Sequence, residues 1–395
     1  MFPTDVVIVA GARTPMARFI GEFQNITAID LGVAASREAI RRSSADPADF
    51  DHVVFGNVMQ TSSDALYGAR HVGLKSGLKI ETPAVTVNRL CGSGIESISQ
   101  AAQRILLGEA SLILAGGTEN MTQAPHVVRG ARTGFRLNDA KLEDSLWSGL
   151  NDPFSGCSMS DTAENLAQDA GITRKASDEF AFRSQQLAEA AFRTGHFKEE
   201  IVPVEIKKGR KTELFSEDNH RRPETTLETL TSLPPAFRKD GILTAGNSSG
   251  IVDGAAAVVV ASQAFAKDHG FKPLGRIISW ATAGVEPRIM GIGPVPSTRK
   301  ALTLAGLKLD QIDLIEVNEA FAPQYLAVEK ELGLNRDRVN VNGGAIALGH
   351  PLAASGTRLI LTLLLELRRR NARYGLATAC IGGGQGIAMI VESLA

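Results

Sequence analysis

The 395-residue chain is 44% apolar and carries 42 basic against 43 acidic side chains, for a net charge of −1 at pH 7. A chain of this size can bury two core-sized domains, and its balanced charge offers no footprint for a nucleic acid. Its three cysteines, Cys91, Cys157 and Cys380, are odd in number, far apart and without CxxC spacing, which excludes a disulfide framework and a zinc site and points to a reducing compartment, expected to be the cytoplasm.

Met1-Phe2-Pro3-Thr4-Asp5 leads directly into an apolar strand at 6–10, with no basic region or cleavage site, so no secretory or transit signal is expected. A helix around 30–41 follows, then strands at 53–55, ending at Asn57, and at 84–87. Next comes Asn88-Arg89-Leu90-Cys91-Gly92-Ser93-Gly94, where a β-branched run meets a glycine-flanked turn. Ile95, Ile98, Ala102, Ile105 and Leu106 then recur at the spacing of a helix with one buried face. Cys91 therefore stands at a strand-to-helix junction, where unpaired amide N–H groups and the helix dipole favour a nucleophilic thiolate. The alternative is a buried cysteine serving as a small hydrophobe. A strand at 112–115 runs on into Gly116-Gly117.

Residues 119–247 are of another kind, richer in polar residues and proline, with helical stretches at 162–170 and 177–194. An insertion of this length with its own helices reads as a lid or specificity element. The basic cluster Lys207-Lys208-Gly209-Arg210-Lys211 is flanked by Glu200, Glu205 and Glu213 and reads as a solvated hairpin turn rather than a phosphate or nucleic-acid patch.

The remainder repeats the first part: strand 275–281, helix 298–306, strand 314–317 ending at Asn318, strand 339–341, a helix after His350, and strand 376–379 running to Gly382-Gly383. The order matches element by element, which predicts two duplicated α/β halves packed against each other. A site at their junction would draw residues from both. The apolar run at 359–365 is too short to cross a bilayer and reads as a buried helix. Cys91, His350 and Cys380 each lie at an element terminus beside glycines, the arrangement expected where a ligand approaches the backbone.

Six ordered motifs carry a family resemblance: the Cys91 turn, Thr162-Ala163-Glu164-Asn165, Thr244-Ala245-Gly246-Asn247-Ser248-Ser249-Gly250, Asn318-Glu319-Ala320-Phe321-Ala322, Gly343-Gly344-Ala345-Ile346-Ala347-Leu348-Gly349-His350-Pro351 and Cys380-Ile381-Gly382-Gly383-Gly384. Over essentially its whole length the chain resembles thiolases of the acetyl-CoA C-acetyltransferase type. The resemblance implies an α/β thiolase fold of two duplicated βαβαβαββ-like halves, layered α/β/α/β/α. The N-terminal half would comprise 1–118 with a return at 248–270, the inserted loop domain 119–247, and the C-terminal half 271–395.

It further implies a reversible Claisen condensation of two acetyl-CoA to acetoacetyl-CoA, or degradative thiolysis of longer 3-oxoacyl-CoA. Cys91 would carry the acyl group, His350 take its proton, and Cys380 serve the α-carbon. Asn318 would hold a water that binds the enolate oxygen together with His350, and the N–H groups of Cys91 and Gly382 would form the other oxyanion hole. Coenzyme A thioesters would be substrates, with no cofactor and no metal. Arg222 and Ser249 match contacts to the nucleotide and the pantetheine, although Arg221 could stand in for Arg222. Met159 and Met290 match apolar pocket positions or core packing, and Phe321 belongs to the substrate side. Ser158 stands where short-chain members carry a histidine that touches the thioester oxygen. The segment 127–139 resembles a loop that joins dimers into a homotetramer. A non-catalytic acyl-CoA-binding protein would lack one of the four catalytic positions, and a carrier-protein-dependent condensing enzyme would pair one cysteine with two histidines.

Overall fold

The computed structural model describes residues 5–394. Met1–Thr4, and the expectation drawn from them, lie outside the described residues.

The first half supplies β1 (Val6–Arg13), α1 (Ala28–Ser43), β2 (His52–Gly56), β3 (Ala84–Val87), α2 (Ser93–Leu106) and β4 (Leu112–Glu119). The chain leaves the sheet after Glu119, passes through α3 (Met159–Ala170) and α4 (Arg174–Arg193), and returns as β5 (Val252–Ser262). The second half is β6 (Gly275–Gly284), α5 (Pro294–Ala305), β7 (Leu314–Val317), α6 (Ala322–Leu332), α7 (Leu352–Arg370), β8 (Tyr374–Ile381) and β9 (Gln385–Ser393).

The strands are ordered β7-β8-β9-β6-β1-β5-β4-β2-β3, with β6 and β1 meeting over the pairs Val7↔Arg276 and Ile8↔Gly275. The order reads alike outward from that seam. In the first half β1, β5 and β4 are antiparallel neighbours and β2 and β3 add in parallel; in the second, β6, β9 and β8 are antiparallel and β7 adds in parallel.

Helices α2 and α7 fill the space between the halves, in one buried cluster that joins Ile95, Ile98 and Ile105 to Leu359, Leu363, Leu367 and the inward side chains of both sets of strands. A helix with sheet on two sides must be apolar nearly all round, which accounts for the run at 359–365. Separate cores form on the outer faces, around Leu31 and Phe55 in one half and around Tyr325 and Ile390 in the other. The five layers α/β/α/β/α follow. No helix among the described residues is long and apolar enough to cross a membrane.

Glycine brings the two central helices into backbone contact. A Cβ on Gly94 would lie 2.4 Å from the Thr357 amide nitrogen, and one on Gly356 would lie 2.5 Å from that of Ile95. The helix that follows Cys91 therefore touches the helix that follows His350.

The third parallel strand of the second half, expected at 339–341, is reduced to a single bridge between Val339 and Ile315. Asn340 turns into the left-handed region at φ 47°, and its side chain replaces the ladder, accepting from the Val317 N–H at 2.8 Å and donating to the Val317 carbonyl at 2.9 Å. The basic cluster forms the expected hairpin, Val204–Lys208 against Lys211–Phe215, with Lys208 paired to Glu213 at 2.9 Å.

The insertion is fastened to the core by a buried cation. Arg13, at the end of β1, donates from Nε to Glu200 at 2.8 Å and from its two terminal nitrogens to Asp218 at 2.7 and 2.8 Å. Thr362 of α7 donates to the second oxygen of Glu200 at 2.7 Å.

Candidate active site

Cys91 is placed by a turn that its neighbours hold closed. Leu90 sits at φ 46°, costly for a branched side chain, while Asn88 Oδ1 accepts from the Leu90 N–H at 3.0 Å. The Ser93 hydroxyl accepts from the Arg89 N–H at 2.8 Å and donates to the Leu90 carbonyl at 2.7 Å. The N–H groups of Gly382 and of Cys91 itself hydrogen-bond the sulfur and favour its charged form. Burial outweighs them and pushes the thiol up to about 11, with the charge of Glu119 adding to the rise. The expectation of a resting thiolate is therefore corrected: Cys91 rests as a thiol, because desolvation costs the anion more than those N–H groups return.

His350 lies at the end of the Gly343–His350 loop, where Gly349 at φ 90° packs against Val252 and leaves no room for a Cβ. The Ser355 hydroxyl donates to the Pro351 carbonyl at 3.0 Å, so at its 2.6 Å contact with His350 Nδ1 it accepts. That assigns the proton to Nδ1 and leaves Nε2 with its lone pair. Asn318 Nδ2 approaches Nε2 at 3.3 Å. Burial, with a contribution from Arg358, takes the imidazole down to about 4, so it is neutral at pH 7 and able to accept a proton. Ser355 was not anticipated from the sequence. A lone hydroxyl in the first turn of an otherwise apolar helix, five residues after the histidine, was the available signal.

Cys91 and His350 line one apolar cavity of about 350 Å³, together with Ser249, Met159, Met290 and Phe321. Cys380 is fully buried at the end of β8, clustered with Met290 and Ala320 and packed by Met159 and Phe321. Burial, and then the Cys91 sulfur beside it, raise its pKa. Asn318 is buried, and its Oδ1 has no hydrogen-bond partner. Phe19, Trp147 and Phe237 also line the cavity. These three were not anticipated, because no motif marks them: Phe19 and Phe237 lie in loops and Trp147 in the short helix Ser145–Gly149.

Two positions resolve differently from expectation. Ser158, at the cavity wall, accepts from the Asp161 N–H at 3.0 Å while its own N–H donates to Asp161 Oδ2 at 3.1 Å, a capping box on α3, and its hydroxyl donates to the same Oδ2 at 2.6 Å. Its donor is committed to the helix rather than turned to a ligand oxygen. Arg222 lies outside the cavity, lining a neighbouring pocket of about 200 Å³ with His220, Leu230 and Gly246. The His220 ring, packed on Gly250, stands between the two spaces. Arg221 is held by Glu189 at 2.6 Å and lies over the Phe192 ring, so Arg222 is the arginine left exposed.

A hydrogen-bonded thiol and a neutral imidazole thus face one apolar cavity, with a second buried thiol packed against its lining, and the chain that builds this arrangement is similar to known proteins over nearly its whole length. Residues 6–264 match the thiolase N-terminal domain and residues 271–393 the thiolase C-terminal domain. The chain is 52% identical to the human mitochondrial 3-ketoacyl-CoA thiolase, covering 99% of this chain and 98% of that protein. It is 51% identical to the acetyl-CoA acetyltransferase of Pseudomonas aeruginosa, covering 98% of each. The crystal structure of the human mitochondrial 3-ketoacyl-CoA thiolase in complex with CoA superposes with a TM-score of 0.97 at 52% identity, covering 99% of this chain and 98% of that one. The chain belongs to the thiolase family.

Proposed function

We propose that the protein is an acyltransferase that exchanges acyl groups between coenzyme A and Cys91 and makes or breaks the carbon–carbon bond of a 3-oxoacyl-CoA. The observation that carries this reading is the closed set of hydrogen bonds at His350, which leaves Nε2 unprotonated, its lone pair met by the Asn318 amide at 3.3 Å, in the same cavity as a thiol held by two backbone N–H groups. His350 accepts the Cys91 proton as the sulfur attacks the thioester carbonyl, and returns it to the departing CoA sulfur. The carbonyl oxygen, on becoming an oxyanion, takes over the N–H groups of Cys91 and Gly382. Cys380 passes its proton to the now neutral His350 and then accepts one from the α-carbon of the second thioester. The enolate then attacks the acetyl carbonyl and Cys91 leaves. His350, once protonated, donates from Nε2 and, with a water on Asn318 Oδ1, meets the enolate oxygen. No metal or resident cofactor takes part in these steps, and coenzyme A thioesters are the substrates. Ser249 and Phe321 flank the pantetheine and thioester, Met159 and Met290 wall the reacting carbons, and Arg222 meets the nucleotide.

Acetyl transfer to give acetoacetyl-CoA is the simplest reaction of this site. A second reading, thiolysis of longer 3-oxoacyl chains, is favoured by the commitment of the Ser158 hydroxyl to Asp161 and by the apolar wall of Leu146, Leu150 and Trp147. The free cysteines support a reducing compartment, the cytoplasm in the simplest case. Residues 128–142 project beyond the paired His126–Val127 and Glu143–Asp144 and expose Phe135 and Leu137, which supports their joining two dimers into a homotetramer. The test is Cys380→Ser. It should still become acetylated at Cys91 while losing both condensation and thiolysis, and equal loss of acetylation and bond cleavage would overturn the division of labour. Thiolysis rates over a chain-length series decide between the two substrate readings.

A further inference from the structure

The duplication gives Cys380 a counterpart. In the parallel pair β7 and β8, Val317 stands opposite Thr378, so Asn318 is the next residue on one strand and Cys380 lies two further on the other. In the equivalent pair β2 and β4, Gly56 stands opposite Gly117, which places Asn57 and Glu119 in the same positions. Cys91 and His350 are likewise equivalent, each two residues before the central helix of its half. The site is therefore pseudo-symmetric, and one of its four quadrants, Asn57 with Glu119, is not used by the reaction proposed above.

Glu119 is fully buried and collects donors from two segments remote in sequence. It accepts from the N–H groups of Val58 at 3.2 Å and Met59 at 2.9 Å, from the Asn57 amide at 3.3 Å, and from the N–H of Ala353 at 3.1 Å. Ala353 is in the first turn of α7, three residues after His350, so the carboxylate occupies the positive end of the His350 helix. Among the described residues Asn57 Oδ1 has no partner, as Asn318 Oδ1 has none.

Resting on the acyl-transfer reading, we propose that Glu119 is a positioning residue for acylation, whose carboxylate clamps the His350 helix to the Cys91 half and whose charge adds to the burial that keeps Cys91 a thiol until His350 takes its proton. The charged and titratable groups whose fields meet at Glu119 are Cys91 and Asp253. Burial, opposed by the N–H donors and added to by Asp253, moves the carboxyl up to about 7, so it is largely ionised in the working range above that pH.

The two roles give opposite signatures in one variant. Glu119→Gln keeps the shape but removes the charge and an acceptor. Acetylation of Cys91 by acetyl-CoA should fall about ten- to a hundredfold, because a small displacement of the base is costly. KM for acetyl-CoA should stay within about threefold, as expected for loss of an interaction outside substrate binding. Alkylation of Cys91 by iodoacetamide at pH 8.5 should become faster, since the charge opposing the thiolate is gone. Glu119→Asp should recover part of the acetylation rate and slow the alkylation again. A general loosening would not move acetylation and alkylation in opposite directions.

Unchanged acetylation, slower alkylation, or an Asp variant no better than Gln would overturn the proposal. If Glu119→Gln does not fold, the wild-type alkylation profile takes its place: an inflection near pH 7 below that of the thiol is expected, and a single thiol inflection would overturn the proposal. Wild-type protein that is never acetylated would bring down the acyl-transfer reading itself, and this inference with it.

Discussion

Asn318 Nδ2 lies 3.3 Å from Nε2 of His350, on the ring nitrogen left without a proton by the 2.6 Å contact between Nδ1 and Ser355. The amide belongs to the second half, as does the imidazole, while the thiol they serve belongs to the first. What sets their mutual position is the glycine contact between the two central helices.

The protonation of His350 sets the acid limit of activity. Its folded pKa is about 4 against an ordinary 6.5, so in Glu119→Gln, which lacks the carboxyl step near pH 7, the acylation rate should hold down to roughly pH 5 and fall only below it. The sign for stability follows from the same shift. The unfolded chain binds this proton more readily than the folded protein, so the contribution is full above 6.5 and is lost as pH falls through 4. For the shift given, the loss is about 3 kcal/mol. In that variant, an acid limb at 6.5 would contradict the assignment.

Ser158 separates a structural role from a specificity role. Ser158→Ala removes the helix cap and should cost about 0.5–2 kcal/mol. The ratio of kcat/KM for acetoacetyl-CoA to that for a six-carbon 3-oxoacyl-CoA should change by less than about twofold, because the hydroxyl is already bonded to Asp161. The sequence comparison alone suggests that Ser158→His raises that ratio. With the cap on the page, the same variant is expected to lower stability without a gain in short-chain preference, as measured by thermal melting and the two rates.

Most of the framework was legible because it rests on local signals. The strands at 84–87 and 314–317 and the helices after Cys91 and His350 follow from β-branched runs, helical spacing and glycine. The duplicated order followed from the two Asn-terminated strands. What was not legible depends on groups remote in sequence. Cys91 reads as a thiolate from its turn, but its pKa is set by desolvation that only the packed halves create. Asn340 ends a strand that its neighbours favour, because its side chain reaches back to Val317. The capping of α3 by Ser158 was hidden by the family resemblance, which directs attention to the ligand. Glu119 passes unnoticed at the end of an apolar strand until the strand register pairs it with Cys380.

The two adjacent arginines should behave differently. Arg222→Ala should raise KM for coenzyme A thioesters with little change in kcat. Arg221→Ala loses the pair with Glu189 and the contact with Phe192, so it should lower the melting temperature with a smaller effect on KM. Steady-state kinetics on both variants, with thermal melts, tests the assignment. A KM effect confined to Arg221→Ala would reverse it.

Arg13 holds the insertion to the core through two buried carboxylates. Arg13→Met leaves Glu200 and Asp218 uncompensated and should cost about 3–5 kcal/mol. Denaturant unfolding measures this, and proteolysis should open the 200–220 region first. A loss below about 1 kcal/mol, the value of a surface pair, would show that the network is not closed to water in solution.

The central claim is that Cys91 carries the acyl group, and peptide mapping after brief incubation with acetyl-CoA tests it most directly. One acetyl mass is expected, on the peptide that contains Cys91, and it should be absent from Cys91→Ala. A label on Cys157 or Cys380, or acetylation that persists in Cys91→Ala, would contradict the account.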